Sequence, residues 1–99
     1  MAKISVFGIG YVGVVSAACL AQDGHEVIAV DVDPGKIDAI NRGQSPIVEE
    51  GIDELVRAMA ATGRLRATSD AEHAIHNTDL SFVCVGTPSA PDGSVGLRY

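Results

Sequence analysis

The chain has 99 residues, enough for one compact unit, and 46% of them are apolar while only 4% are aromatic. That composition supports a packed core and excludes an intrinsically disordered segment. The formal net charge of -6 opposes a phosphate backbone, so nucleic acid is excluded as a general partner, although backbone N–H groups can still hold a mononucleotide.

Residues 3–7, KISVF, form a short β-prone run that stops at Gly8. Tyr11 to Gln22 is rich in Ala and Val, contains no Pro and predicts a helix, with Gly24 placed to end it. The uncharged stretch Ile4–Ala21 follows Lys3 and ends in SAACLA, superficially like an export signal or a short membrane span. Three spaced glycines inside it, and a charged turn leading to another apolar run, argue against both. The expected setting is the cytoplasm, without a membrane.

HEVIAVDVD follows as a second strand, and its apolar run Val27–Val30 marks a strand covered on both faces. Asp33-Pro34 opens a helix that runs to about Asn41 and is closed by Gly43, with Ile37 and Ile40 on one face. Gln44–Gly51 is a loop, after which Ile52, Leu55, Val56 and Met59 recur at helical spacing until Gly63. LRAT is a candidate short strand, and Ser69 or Asp70 can cap a further helix to about Asn77. LSFVCV, residues 80–85, predicts a buried strand broken by Gly86-Thr87-Pro88, and the tail is loop-like with a short extended piece near Val95–Leu97. The order β-α-β-α-α-β-α-β implies a Rossmann-type, doubly wound parallel α/β sheet in strand order 3-2-1-4. Residues 1–99 match the first half of such a domain, so the expectation is a partial dinucleotide-binding unit.

Gly8-Ile9-Gly10-Tyr11-Val12-Gly13 fits G-x-G-x-x-G. The pattern gains specificity from its context, a strand before it, a helix after it and an acid at the end of the next strand. Gly8 permits a tight turn, Gly10 lets the backbone approach a diphosphate, and Gly13 lets the helix lie close to the sheet. Free N–H groups near Tyr11 and Val12 then face the diphosphate, with the helix dipole behind them.

Asp31 lies 18 residues after Gly13, close to the spacing at which an acid accepts hydrogen bonds from the adenosine ribose. Its charge repels a 2′-phosphate and so favours NAD over NADP. Asp33 competes for that role but better caps the helix at Pro34. Lys36 reads as a solvated helix charge or as a neighbour of the ribose, and Thr87 as a cofactor contact or a loop former.

His73 and His76 share a helix with Glu72 but lack further ligands, so no metal is expected. His25 reads as a strand-edge residue. Cys19 and Cys84 have no metal-ligand spacing and read as free thiols, Cys84 as a small core residue and not a nucleophile.

Taken together, FGIGYVGVVSAACLA, VIAVDVDPGKIDAINRGQSPIVEEGIDEL, TGRL and FVCVGTPS closely resemble the amino-terminal domain of the UDP-glucose/GDP-mannose dehydrogenases. SPIVE and CVGTPS look most like the GDP-mannose 6-dehydrogenase branch. The UDP-glucose 6-dehydrogenase branch usually has Tyr where Val48 stands, and is the alternative. Glu50 departs from the family's usual Pro, and Gly96 from an Asp often found near there.

The resemblance implies NAD contacts at Tyr11, Val12, Asp31, Lys36 and Thr87. It also implies oxidation of a sugar C6 alcohol to a carboxylate with two NAD, through a Cys nucleophile that holds the aldehyde as a thiohemiacetal. Neither Cys19 nor Cys84 matches that Cys, and the substrate-binding Glu and Lys of the family lie beyond Tyr99. The resemblance therefore implies no catalytic residue in this segment and no turnover by it alone, with a nucleotide-sugar partner and a homo-oligomer in the complete enzyme. A non-catalytic dinucleotide sensor shares the glycine pattern and the acid, but the SPI-x-E loop and the helix at 52–62 favour the enzyme family.

Overall fold

The structure is a computed structural model that describes residues 1–47 and 49–84. Val48 and residues 85–99, and with them Thr87 and the extended piece expected near Val95–Leu97, lie outside the described residues.

The elements follow the expected order: β1 (Lys3–Phe7), α1 (Tyr11–Gln22), β2 (Glu26–Val30), α2 (Pro34–Asn41), α3 (Ile52–Thr62), β3 (Leu65–Thr68), α4 (Ala71–His76) and β4 (Leu80–Val83). The strands form one parallel sheet in the order β3-β2-β1-β4. Parallel pairing in register puts matched residues on the same face, and side chains alternate along each strand. Ile4 and Val6, Val27 and Ala29, and Leu65 and Ala67 therefore build one core with α1, α2 and α3. Ile28 and Val30 point the other way and meet Ala74 of α4, with Phe7 packed beside them. Helices on both faces explain why the run Val27–Val30 is apolar at every position.

Small residues on α1 let it lie against the sheet: Gly13, Ala17, Ala18 and Ala21 are buried along with Val14. A Cβ on Gly13 would overlap the Gly8 carbonyl oxygen and stand 2.9 Å from its carbon, so the helix approaches the turn more closely than any side chain permits. Gly24 ends α1 in a left-handed conformation (φ 102°), with His25 N–H donating to the Leu20 carbonyl at 3.2 Å. His25 sits just before β2, where its Nδ1 accepts from the Ala2 N–H at 2.9 Å.

The outer side of β3 is closed by Asn41, whose carboxamide donates to the Ala67 carbonyl at 3.0 Å and accepts from the Ala67 N–H at 2.9 Å. One side chain thus satisfies two backbone groups that an edge strand otherwise presents to solvent or to another chain. On the other side of the sheet, buried Ser5 joins β1 to β4 through a 2.7 Å hydroxyl pair with Ser81, and accepts from the Thr78 hydroxyl at 3.0 Å.

The expectation of a buried fourth strand is corrected. All four residues of β4 are exposed, Val83 as much as 69%. The physical reason is its position at the end of the sheet order, hydrogen-bonded within the described sheet to β1 alone. An apolar run shows which setting a strand suits, whereas burial needs neighbours on its faces. The strand also ends at Val83, and Cys84 is half-buried at the rim of the main core. Cys19 is exposed. The stretch Ile4–Ala21 is split by the glycine turn into a strand and a 12-residue helix. Among the described residues no helix is long and apolar enough to cross a membrane.

Candidate functional site

The glycine turn sits where β1 ends at the centre of the sheet, between β2 and β4. Gly8 adopts φ 101°, a conformation that favours glycine, and its N–H donates to the Val30 carbonyl at 2.8 Å. Ile9 follows with its side chain buried. Gly10 is the N-cap of α1, in extended conformation (φ -101°, ψ -161°).

How the four described helices begin sets one of them apart. α2 and α4 start on Asp33 and Asp70, which accept from the N–H groups of Gly35 and His73, each at 2.9 Å. Asp70, and not Ser69, is therefore the cap of α4. α3 carries Asp53 and Glu54 in its first turn. α1 has neither a side-chain cap nor an acid in its first turn. The first N–H groups of a helix have no intrahelical partner, and the dipole places partial positive charge there. At α1 no described side chain caps those N–H groups, which leaves them open to an anion from outside. Among the described residues, a Cβ on Gly10 would meet no atom within 4 Å. Nothing in those residues crowds that position, so the backbone there is open to approach from outside.

Asp31 stands one residue beyond β2. Its Oδ2 accepts from the Ile9 N–H at 2.7 Å and its Oδ1 from the Asp33 N–H at 2.9 Å. Partial burial pushes its carboxyl up, but the Ile9 and Asp33 N–H groups, the Lys36 charge and the Val32 N–H together hold it below the usual carboxylate range. It is thus an anion at neutral pH. A carboxylate has about four lone-pair sites, so its bonds to the Ile9 and Asp33 N–H groups leave acceptor capacity free for a further donor.

The structure therefore brings Gly8, Gly10, Gly13 and Asp31 together around one turn. Tyr11 and Val12 stand at the start of α1 with exposed side chains. Lys36, half-buried in α2, is near enough to act on Asp31 electrostatically. The Glu49 carboxylate raises the pKa of the Tyr11 phenol, by hydrogen bonding first, then by its charge, with burial adding to both.

A cavity of about 300 Å³ opens beside the turn, lined by Gly8, Asp31, Val32, Ser69 and Ala71 among others. Val32, Ser69 and Glu49 were not expected at the site. For Ser69 a signal existed: it follows β3 directly, and so lies at the carboxyl end of the sheet, where open α/β sheets bind ligands. A second cavity, about 160 Å³, includes Lys3 and Glu26 from the amino ends of β1 and β2, away from the turn. His73 and His76 are exposed, and among the described residues no group of three or more His, Cys, Asp or Glu is placed to hold a metal.

Against known proteins, residues 2–99 match the UDP-glucose/GDP-mannose dehydrogenase family, NAD binding domain. The chain is 56% identical to a GDP-mannose 6-dehydrogenase of Pseudomonas putida over 97 residues, covering 98% of this chain and 22% of the relative. It is 49% identical to a UDP-glucose 6-dehydrogenase of Rhizobium meliloti over 98 residues, covering 98% of this chain and again 22% of the relative. The crystal structure of a ternary complex of GDP-mannose dehydrogenase from Pseudomonas aeruginosa superposes with a TM-score of 0.86 at 56% identity, covering 91% of this chain and 21% of that one. The chain thus spans about a fifth of the length of the relatives it matches.

Proposed function

The chain belongs to the UDP-glucose/GDP-mannose dehydrogenase family as its NAD-binding domain, and from that premise we propose that its residues hold NAD for the oxidation of a nucleotide sugar. The observation that carries the reading is the uncapped start of α1 beside an acid tied to the same turn. The N–H groups at the start of α1, near Tyr11 and Val12, hold the diphosphate, with Gly8, Gly10 and Gly13 giving it room to approach. Asp31 accepts from the adenosine ribose, while Lys36 stands beside it. Val32, Ser69 and Ala71 line the cavity next to that ribose position and receive the adenine end. Thr87 contacts the cofactor from the segment after β4, as the family resemblance implies.

Bound NAD supplies the hydride acceptor, and the groups named here bind and orient it. In the complete enzyme the reaction oxidises a sugar C6 alcohol to a carboxylate, with the nucleophilic Cys and the sugar-binding residues outside these 99. GDP-mannose is the preferred substrate, supported by identity of 56% to a GDP-mannose 6-dehydrogenase against 49% to a UDP-glucose 6-dehydrogenase. The sugar acid then serves polysaccharide synthesis of the alginate type, by a cytoplasmic homo-oligomer. Residues 1–99 form the first half of the dinucleotide domain on this reading.

Isothermal titration of the chain with NAD and with NADP tests the cofactor reading. Saturable binding that is tighter for NAD is expected. A folded protein that gives no heat with either cofactor refutes it.

A further inference from the structure

The chemistry assigned to Asp31 uses its charge toward the ribose, yet the structure shows its carboxylate already engaged elsewhere. Oδ2 holds the N–H of Ile9, the middle residue of the glycine turn, at 2.7 Å, beside the 2.8 Å bond from Gly8 N–H to the Val30 carbonyl. Oδ1 holds the Asp33 N–H at 2.9 Å, and Asp33 in turn caps α2 through Gly35 N–H at 2.9 Å. Three restraints thus converge on the turn: the Gly8 bond to β2, the Asp31 bond to β2's end and the buried Ile9 side chain.

The turn needs them. Gly8 and Gly10 flank Ile9, and glycine loses more backbone freedom on ordering than any other residue. Each restraint lowers the entropy left to be lost when a diphosphate arrives, which is the physical content of preorganisation. The Ile9 N–H is also fixed toward Asp31, and this limits how the peptides leading into the first turn of α1 can rotate.

We infer that Asp31 is a positioning residue for the diphosphate turn as well as a ribose acceptor, so that one carboxylate sets both halves of cofactor recognition. The inference rests on the NAD-site reading above. It predicts that Asp31 contributes to the binding of a ligand that has a diphosphate but no ribose hydroxyls. An acid acting on the ribose alone contributes nothing there.

The test is a cycle of titrations on the whole chain, with ADP and 2′,3′-dideoxy-ADP as probes, for the native protein and for Asp31→Ala, Asp31→Asn and Asp31→Glu. Circular dichroism checks that each variant is folded at the assay temperature, which removes loss of stability as a cause of weaker binding. Asp31→Ala is expected to weaken dideoxy-ADP roughly three- to tenfold, the range that one hydrogen bond gives. Asp31→Asn keeps an acceptor for the Ile9 N–H and is expected to restore most of that loss. Asp31→Glu keeps the charge but moves the oxygens away from Ile9, and is expected to weaken dideoxy-ADP as Ala does; it also decides the matter if the Ala variant does not fold. Native-like affinity of the Ala or Glu variant for dideoxy-ADP overturns the inference and leaves Asp31 as a ribose ligand only. A native protein that binds neither ADP nor NAD overturns the site reading and this inference with it.

Discussion

Replacing Gly10 and Gly13 one at a time with Ala separates the approach of a ligand from the packing of the protein. At Gly10 the added methyl meets no atom of the described residues within 4 Å, and the backbone at φ -101° suits an L-residue. Two small effects on stability oppose each other. Ala reduces the freedom of the unfolded chain, worth about 0.4–1 kcal/mol, and it is a poorer N-cap than Gly by a similar amount. The expected net change is within about 0.5 kcal/mol, the usual range for substitutions away from packed features. On the proposed cofactor reading the same methyl stands between the turn and the diphosphate. Losing one hydrogen bond to that charged group costs about 1.5–3 kcal/mol, or roughly ten- to a hundredfold in NAD affinity. At Gly13 the methyl collides with the Gly8 carbonyl, which is backbone and cannot swing aside. Overpacking of this kind costs about 1–3 kcal/mol or more. Chemical denaturation and calorimetric titration of the two variants read both quantities. Gly10→Ala that binds NAD like the native chain, or that is destabilised as much as Gly13→Ala, refutes the division of roles between the two glycines.

Asp31→Ala is expected to weaken NAD and to narrow the gap to NADP, because the charge that repels a 2′-phosphate is gone; unchanged selectivity in paired titrations counts against it. Against the opposing effect of partial burial, the Ile9 and Asp33 N–H groups and the Lys36 charge hold the Asp31 carboxyl below the ordinary carboxylate value in the folded chain. A depressed acid contributes stability that is present above its unfolded pKa and lost as pH falls through the folded one. Carbon-detected NMR of Asp31, followed with the Ile9 amide, should therefore show both titrating below that value, and a midpoint above it contradicts the hydrogen bond. Asn41→Ala exposes the N–H and C=O of Ala67 at the sheet edge and is expected to cost about 1–2 kcal/mol in urea denaturation, whereas a change near zero means water replaces the carboxamide fully. The 99-residue chain, supplied with GDP-mannose and NAD, is expected to form no NADH, and a rise in absorbance at the wavelength of the reduced cofactor would place the chemistry within it.

Much of the architecture was legible from local pattern. The glycine spacing, the uninterrupted apolar run at Val27–Val30 and the Asp-Pro start of α2 each report a requirement of the backbone next to them, so the elements and the order 3-2-1-4 could be read without coordinates. The turn and Asp31 could be paired for the same reason, since the βαβ unit fixes the number of residues between two neighbouring strand ends. Val32 was harder to read, because an exposed Val after a strand carries no local signal of its own, and Ser69 was marked only by its place directly after β3.

By itself the sequence determined which residues form strands and helices, where the uncapped helix after the glycine turn begins and that an acid stands beside it, because those features depend on spacing along the chain. Tertiary structure alone decided that β4 is exposed at the end of the described sheet, that Asn41 closes the opposite edge, and that one oxygen of the Asp31 carboxylate accepts from Ile9 N–H. Burial, edge pairing and the partner of a hydrogen bond depend on what residues distant in sequence bring into reach, and no periodicity encodes that.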